Sequence, residues 1–267
     1  MTQRIERSVG RSFFGSDPST YDAVRPGHPD DVYDILRERC GLRPGSRVLE
    51  IGPGTGQATR RLLDLGAGPL VTIEPDPRLA AFLRDTLGGR VEVRVAALEE
   101  AELEPGAYDL AAAASSFHWV EEAAGLTKLR DALRVGGWVA IWWTSFGDER
   151  RPDPFRLALD PLFEDVPAGP SGPSEGRPGF ARDAECRLAA LSRVGFQGAQ
   201  HDEAHWAREW DTAGIRGLYS TFSPLSALTP ERREELLDSV ARVAADRFGG
   251  RVERPLVTSL YTARKPG

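Results

Sequence analysis

The sequence predicts an α/β fold: a sheet of mainly parallel strands with helices on both faces. Three observations carry this prediction. The run Val48-Leu49-Glu50-Ile51 is apolar enough for a strand buried on both sides, and it leads into Gly52-Pro53-Gly54-Thr55-Gly56 and then a helical pattern. A second apolar run, Leu70-Val71-Thr72-Ile73, ends in an acid, Glu74, at roughly the spacing at which such folds place a ribose-binding carboxylate. From there, short apolar runs alternate with amphipathic segments as far as Thr144.

The elements follow in order. Residues 1–16 are polar and rich in Arg and Ser, a frayed terminus for at least the first ten. Val32, Ile35, Leu36 and Cys40 fall at helical spacing, so residues 30–41 read as an amphipathic helix. Behind the glycine turn, Ala58, Leu62 and Leu65 give the first crossover helix its apolar face, closed by Gly66 and Gly68. Asp76-Pro77 opens a helix with Leu79, Phe82, Leu83 and Leu87 on one side. Val91 to Ala96 is the third strand, and Tyr108-Asp109-Leu110 with the four following alanines is the fourth. Leu126, Leu129 and Leu133 form a helix face, Gly136-Gly137 turns the chain, and Trp138 to Thr144 is the fifth strand, with Trp142 and Trp143 on opposite faces.

Residues 146–180 break the pattern with prolines and glycines, and regular structure is expected only around Phe155 to Phe163. Ala184 to Val194 is helical, and a strand covers Ala199 to Trp210. A short helix and loop occupy residues 212–225. Thr229-Pro230-Glu231 starts a long helix, and Leu256 to Ala263 is the last strand.

The turn at Gly52 sets the ligand chemistry. Glycines permit positive φ and close approach of a ligand to the backbone, and the helix behind points free N–H groups the same way. A dinucleotide site would want Gly-x-Gly-x-x-Gly, whereas here Gln57 stands where the last glycine would be. Glu50 gains nothing from a pyrophosphate but favours a ligand bearing an ammonium or sulfonium.

Glu50-x-Gly52-x-Gly54-x-Gly56 resembles motif I of the class I S-adenosylmethionine (SAM)-dependent methyltransferases. The resemblance is good over about residues 15–145 and loose beyond. It implies a Rossmann-like, seven-stranded mixed sheet with a cap or lid, and SAM as cofactor. It places the amino-acid part of SAM at Glu50, Gly52, Pro53, Gly54 and Gly56, the ribose at Glu74 and Pro75, and the adenine at Ala97 and Leu98, with Glu99 a further candidate and Ser115 also near the cofactor. The stretch from Tyr21 through Arg25-Pro26-Gly27-His28-Pro29 is similar to a segment that precedes the core in many small-molecule members, which implies that Tyr21 and Arg25 approach the amino-acid end of SAM. Phe117-His118-Trp119 resembles the strand ending of a small-molecule branch, not the Pro-Pro-aromatic box of nucleic-acid amino methylases. Acceptor contacts are then expected from Phe117, His118, Trp119, Trp143 and Tyr219, with His118 the candidate general base.

Composition narrows the partners. A net charge of −6 offers no broad basic surface for polynucleotide phosphates. The two cysteines, Cys40 and Cys186, are far apart and read as reduced. His201 and His205 have no evident third partner, so no metal is expected. With no signal-peptide pattern and no bilayer-length apolar run, the expected setting is cytoplasmic, without membrane or nucleic acid, as a monomer or homodimer. The expected organisation is an N-terminal cap segment (1–30), a SAM-binding core (31–145), a Pro/Gly-rich lid insertion (146–180) and a C-terminal part of the same domain (181–267). The function expected is SAM-dependent methyl transfer to a small molecule, at oxygen, nitrogen or carbon. The rivals are a cyclase or decarboxylase keeping SAM as a non-reacting ligand, a noncatalytic SAM-binding protein, and an NAD-dependent oxidoreductase, which the glycine spacing disfavours.

Overall fold

The computed structural model describes residues 14–164, 166 and 178–267. The frayed start of the N-terminal segment and residues 165 and 167–177 of the expected lid lie outside the described residues. In chain order the helices are α1 (Pro18–Val24), α2 (Asp30–Glu38), α3 (Gln57–Asp64), α4 (Pro77–Leu87), α5 (Glu122–Ala132), α6 (Pro154–Leu159), α7 (Ala184–Arg193), α8 (Thr212–Ser220) and α9 (Pro230–Phe248). The strands are β1 (Val48–Ile51), β2 (Leu70–Glu74), β3 (Glu92–Val95), β4 (Tyr108–Ala114), β5 (Leu133–Phe146), β6 (Gln197–Asp211) and β7 (Arg251–Arg264).

The expected seven-stranded sheet is present, in the order β3-β2-β1-β4-β5-β7-β6. β1 pairs in parallel with β2 and β4, β2 with β3, and β4 with β5. β7 runs antiparallel to β5: Gly136 donates to the Lys265 carbonyl and Lys265 to that of Gly137, while Gly147 donates to that of Pro255. The chain divides into two compact units, one of residues 27–144, 173–204 and 258–267, the other of residues 1–26, 145–172 and 205–257.

The first unit is covered on both faces of its strands, as parallel pairing requires. Leu49 and Ile51 of β1 join one buried cluster and Val48 the other, so the strand's alternation feeds two cores. Trp143 lies in the first cluster and Trp142 in the second, on opposite faces as expected. Glu50 alternates with Leu49 and Ile51, and its neighbours across the sheet are Thr72 and Ala112. Those small side chains leave the carboxylate room beside the strand end.

Two local readings are corrected. Leu133 is not part of the helix face; α5 stops at Ala132 and Leu133 opens β5. Gly136-Gly137 is not a turn ahead of the strand either. Tyr108 pairs with Leu133 and Leu110 with Trp138, so residues 134–137 bulge out of the β4–β5 ladder, and Gly136 and Gly137 pair with Lys265 instead. A buried leucine at the end of a helical repeat satisfies either element, so spacing alone could not separate them.

The second unit contains α1, α6, α8 and α9. Its core gathers Phe155, Trp210, Ile215, Leu218, Tyr219 and Val240. α9 begins as the sequence expects, with the Thr229 hydroxyl accepting the Arg232 N–H and Pro230 in the first turn. Arg254 and Asp153 form a buried ion pair, Nε to Oδ2 2.7 Å, and the other Asp153 oxygen accepts the Arg156 N–H at the start of α6. Among the described residues no helix is long and apolar enough to cross a membrane.

Candidate functional site

The carboxyl ends of β1, β2 and β4 bring most of the predicted residues together in the first unit. β1 delivers Glu50 and then the glycine turn. Gly52 has φ +61°, and a Cβ there would sit 2.5 Å from the Cβ of Ser116, so neither the backbone nor the space admits a side chain. Gly52→Ala is therefore expected to lower stability by about 2–4 kcal/mol, read from urea denaturation. At Gly54 nothing lies within 4 Å of the Cβ position, although its φ of +58° still favours glycine. The turn is thus packed against protein at Gly52 and open at Gly54.

Glu50 has no measurable exposure, and the polar side chain that meets its carboxylate is the neighbouring Thr59 hydroxyl. Burial pushes its pKa up to about 7 against the pull of the Thr59 hydrogen bond, and the nearby Glu74 carboxylate adds to the rise. Beside Thr59, Tyr33 Oη and Trp142 Nε1 are buried and make no hydrogen bond. Tyr33 and Trp142 meet edge to face, with ring centroids 6.4 Å apart. Sequence reasoning missed these three. Tyr33 looked like one more residue of an amphipathic helix, and Thr59 carried no motif.

Glu74 is 4% exposed, and each of its oxygens takes one backbone N–H: Oε2 from Gly54 at 3.1 Å and Oε1 from Asp76 at 3.0 Å. Burial raises its pKa to about 7 against the pull of those two bonds. It therefore ties the glycine turn to the end of β2 and keeps spare lone pairs for hydroxyl donors. Pro75 follows, half-buried, and Asp76 caps α4 by accepting the Arg78 N–H. Ala97 is half-buried, whereas Leu98 is 3% exposed and belongs to the first core cluster, so the backbone is the accessible part of that pair. Glu99 is exposed and accepts the Glu121 N–H at 3.3 Å.

β4 gives way to Ser115, which has φ +55° and is the one non-glycine residue with positive φ among the described residues. Such strain persists where the surroundings fix it, and it concentrates at functional sites. Ser116, also missed from sequence, donates from Oγ to the Ile51 carbonyl at 2.5 Å and so locks β4 to β1 under Gly52. Phe117 and Trp119 are buried at 1% and 7% exposure and Trp143 at 5%, which makes all three core side chains in this conformation. Trp143 Nε1 donates to His118 Nδ1 at 3.0 Å. An indole N–H can only donate, so the His118 ring is neutral with its proton on Nε2. A ¹⁵N spectrum of the imidazole is expected to show that tautomer, and Trp143→Phe to release it.

Tyr21, Arg25 and Tyr219 belong to the second unit. Arg25 donates from Nε to Thr221 Oγ1 at 2.8 Å and from Nη2 to the Thr221 carbonyl at 2.9 Å, and it lies over the rings of Tyr21 and Phe222. Tyr219 accepts from Arg254 Nη1 at 2.8 Å.

Residues 49–141 match the family model described as a methyltransferase domain. That stretch is similar to methyltransferase domains, in keeping with the class I resemblance of the glycine turn. An uncharacterised methyltransferase of Mycobacterium tuberculosis is 32% identical over 137 residues, which are 51% of this chain and 54% of that protein. In that match the chain spans about half the length of the curated relative. A malonyl-[acyl-carrier protein] O-methyltransferase of Geobacter sulfurreducens is 29% identical over 260 residues, 92% of this chain and 93% of the relative. Among solved structures, phosphoethanolamine N-methyltransferase 2 of Haemonchus contortus aligns with a TM-score of 0.57 at 15% identity, over 97% of this chain and 60% of that one, a likeness of fold alone. The cofactor of a methyltransferase domain of this class is SAM, and the residues present fit it. The buried carboxylate of Glu50 lacks a cation, Gly54 leaves an open cradle, and Glu74 retains acceptor capacity for a diol.

Proposed function

We propose that this chain transfers the methyl group of SAM to a small organic acceptor. The observation that carries the reading is Glu50: a carboxylate with no exposure and no cation against it, at the mouth of a glycine turn. Such a group is costly unless a cation meets it, and SAM brings an ammonium and a sulfonium. Glu50 with Gly52, Pro53, Gly54 and Gly56 would hold the methionyl part. Glu74 and Pro75 would hold the ribose, the backbone at Ala97 and Leu98 the adenine, and Ser115 the edge nearest β4. Bound SAM supplies an electrophilic methyl: an acceptor lone pair forms the new bond as the carbon–sulfur bond breaks and the sulfonium becomes a neutral thioether.

The chain's own task is alignment and exclusion of water. His118 donates from Nε2 to orient the acceptor, because Trp143 occupies Nδ1, the nitrogen a general base would need. The reading extends to a cytoplasmic setting and to acceptors other than nucleic acid, which the net charge of −6 supports.

Calorimetric titration with SAM, S-adenosylhomocysteine (SAH) and NAD tests the cofactor. Micromolar binding of the first two without NAD is expected, and Glu74→Gln should weaken both by about 10- to 100-fold through loss of charge-assisted bonds. Tighter binding of NAD would reverse the reading. Transfer of labelled methyl to any product separates a methyltransferase from an enzyme that keeps SAM as a spectator.

A further inference from the structure

Next to the His118 loop, in the same unit, a half-open space of about 10 Å³ is lined by Phe117, Glu122, Leu126, Trp143, Arg187 and Tyr261 among others. It has room for about one water. Arg187, on α7, lies over Phe180 with its guanidinium carbon 3.7 Å from the ring centroid. Phe180 meets Trp143 edge to face at 5.5 Å and lies 6.4 Å from the His118 ring. A continuous stack therefore connects the guanidinium to the histidine that follows β4.

Arg187 is not well satisfied there. Its Nη1 is 2.8 Å from Glu122 Oε1, yet neither Nη1 nor Nε makes a properly angled hydrogen bond, and both atoms are buried. The Arg187 side chain is 12% exposed and that of Glu122 25%. Glu122 stands in the first turn of α5 and can swing to water far more easily than Arg187 can. A guanidinium is a planar fork that matches a carboxylate through two parallel bonds.

We propose that Arg187 anchors a carboxylate of the methyl acceptor, which replaces Glu122 on the guanidinium. The acceptor class is an organic carboxylate, whose carboxylate group takes the place that Glu122 vacates. A phosphate dianion suits the place less well, since one guanidinium would have to hold two charges beside the Glu122 carboxylate. This inference rests on the methyl-transfer reading for the identity of the bound molecule as acceptor, while the anchoring itself can be measured without turnover.

The experiment is calorimetric titration of the SAH-saturated protein and of the free protein with benzoate, phenylacetate, succinate and malonate, with their methyl esters as controls. At least one carboxylate is expected to bind, with its ester about tenfold weaker or more. Arg187→Met should abolish that binding and Arg187→Lys should weaken it about tenfold, with the SAH affinity unchanged in both. Glu122→Gln should tighten it about three- to tenfold, because the competing anion is gone; a purely structural ion pair would give no such gain. Failure of all four acids to bind with or without SAH would overturn the proposal, as would equal binding to Arg187→Met or weaker binding to Glu122→Gln. If Arg187→Met does not fold, Arg187→Lys and Glu122→Gln decide. Failure of SAH to bind the wild-type protein would sink the cofactor reading instead, and the titration of the free protein would still judge the anchor.

Discussion

Glu50→Gln is expected to strengthen the ligand-free protein and weaken its hold on SAM. The native carboxylate is buried without a cation beside it, and burial pushes its pKa up to about 7 from the ordinary carboxylate range. Between the unfolded and folded pKa values the folded protein binds the extra proton. Stability from this group is therefore complete below the unfolded pKa and is lost as pH rises through about 7. At pH 8 the folded chain carries the full penalty of an ionised buried group, which an amide of the same shape avoids. The variant should gain about 1–3 kcal/mol there and far less at pH 5, where native Glu50 is already protonated. Binding moves the other way. With the negative charge removed, SAM loses its buried ionic partner, and its Kd should rise by about 30- to 150-fold, or about 2–3 kcal/mol. Urea denaturation at both pH values and calorimetry with SAM check the two signs. A variant that lost stability at pH 8 while binding SAM normally would make Glu50 an ordinary structural residue.

Both halves of that argument bear on what a sequence can show. Glu50 could be singled out because it stands two residues before the first glycine of the turn, and Glu74 because it ends the next apolar run at the spacing of a ribose-binding acid. That both carboxylates are lifted to about 7 was not legible, because it depends on burial, with a smaller push on Glu50 from Glu74 and on Glu74 from Asp76. The bond from Trp143 to His118 was also beyond reach: the two positions are 25 apart and meet only through β4–β5 pairing. Arg187 carried no motif at all, being one arginine among many on a helix. The sheet itself was largely readable, since each strand is a short apolar run and each turn has glycine, proline or a capping acid. The exception, residues 134–137, is a bulge whose pairing with Lys265 no local pattern encodes.

The largest stability effect is expected in the second unit, from Arg254→Met. Arg254 and Asp153 are 3% and 6% exposed in their side chains, and the guanidinium also donates from Nη1 to the Tyr219 hydroxyl. Removing the cation leaves a buried carboxylate and a buried phenol short of a partner. A change of this kind costs about 3–5 kcal/mol, whereas the intact pair contributes little net stability once its own desolvation is counted. The double replacement Arg254→Met with Asp153→Leu should thus recover part of the loss, although the Asp153 cap on Arg156 goes with it and withholds about 1 kcal/mol. Thermal melts of the two variants would show the difference directly: a double variant no more stable than Arg254→Met would mean that the stranded charge is not what destabilises. The same contacts constrain the expectation for Tyr219 as an acceptor contact. Its hydroxyl already accepts from Arg254, and burial lifts its pKa, so the phenol is held neutral and in place. If Tyr219 touches an acceptor, it does so with a rigid ring, and Tyr219→Phe should disturb Arg254 before it disturbs binding.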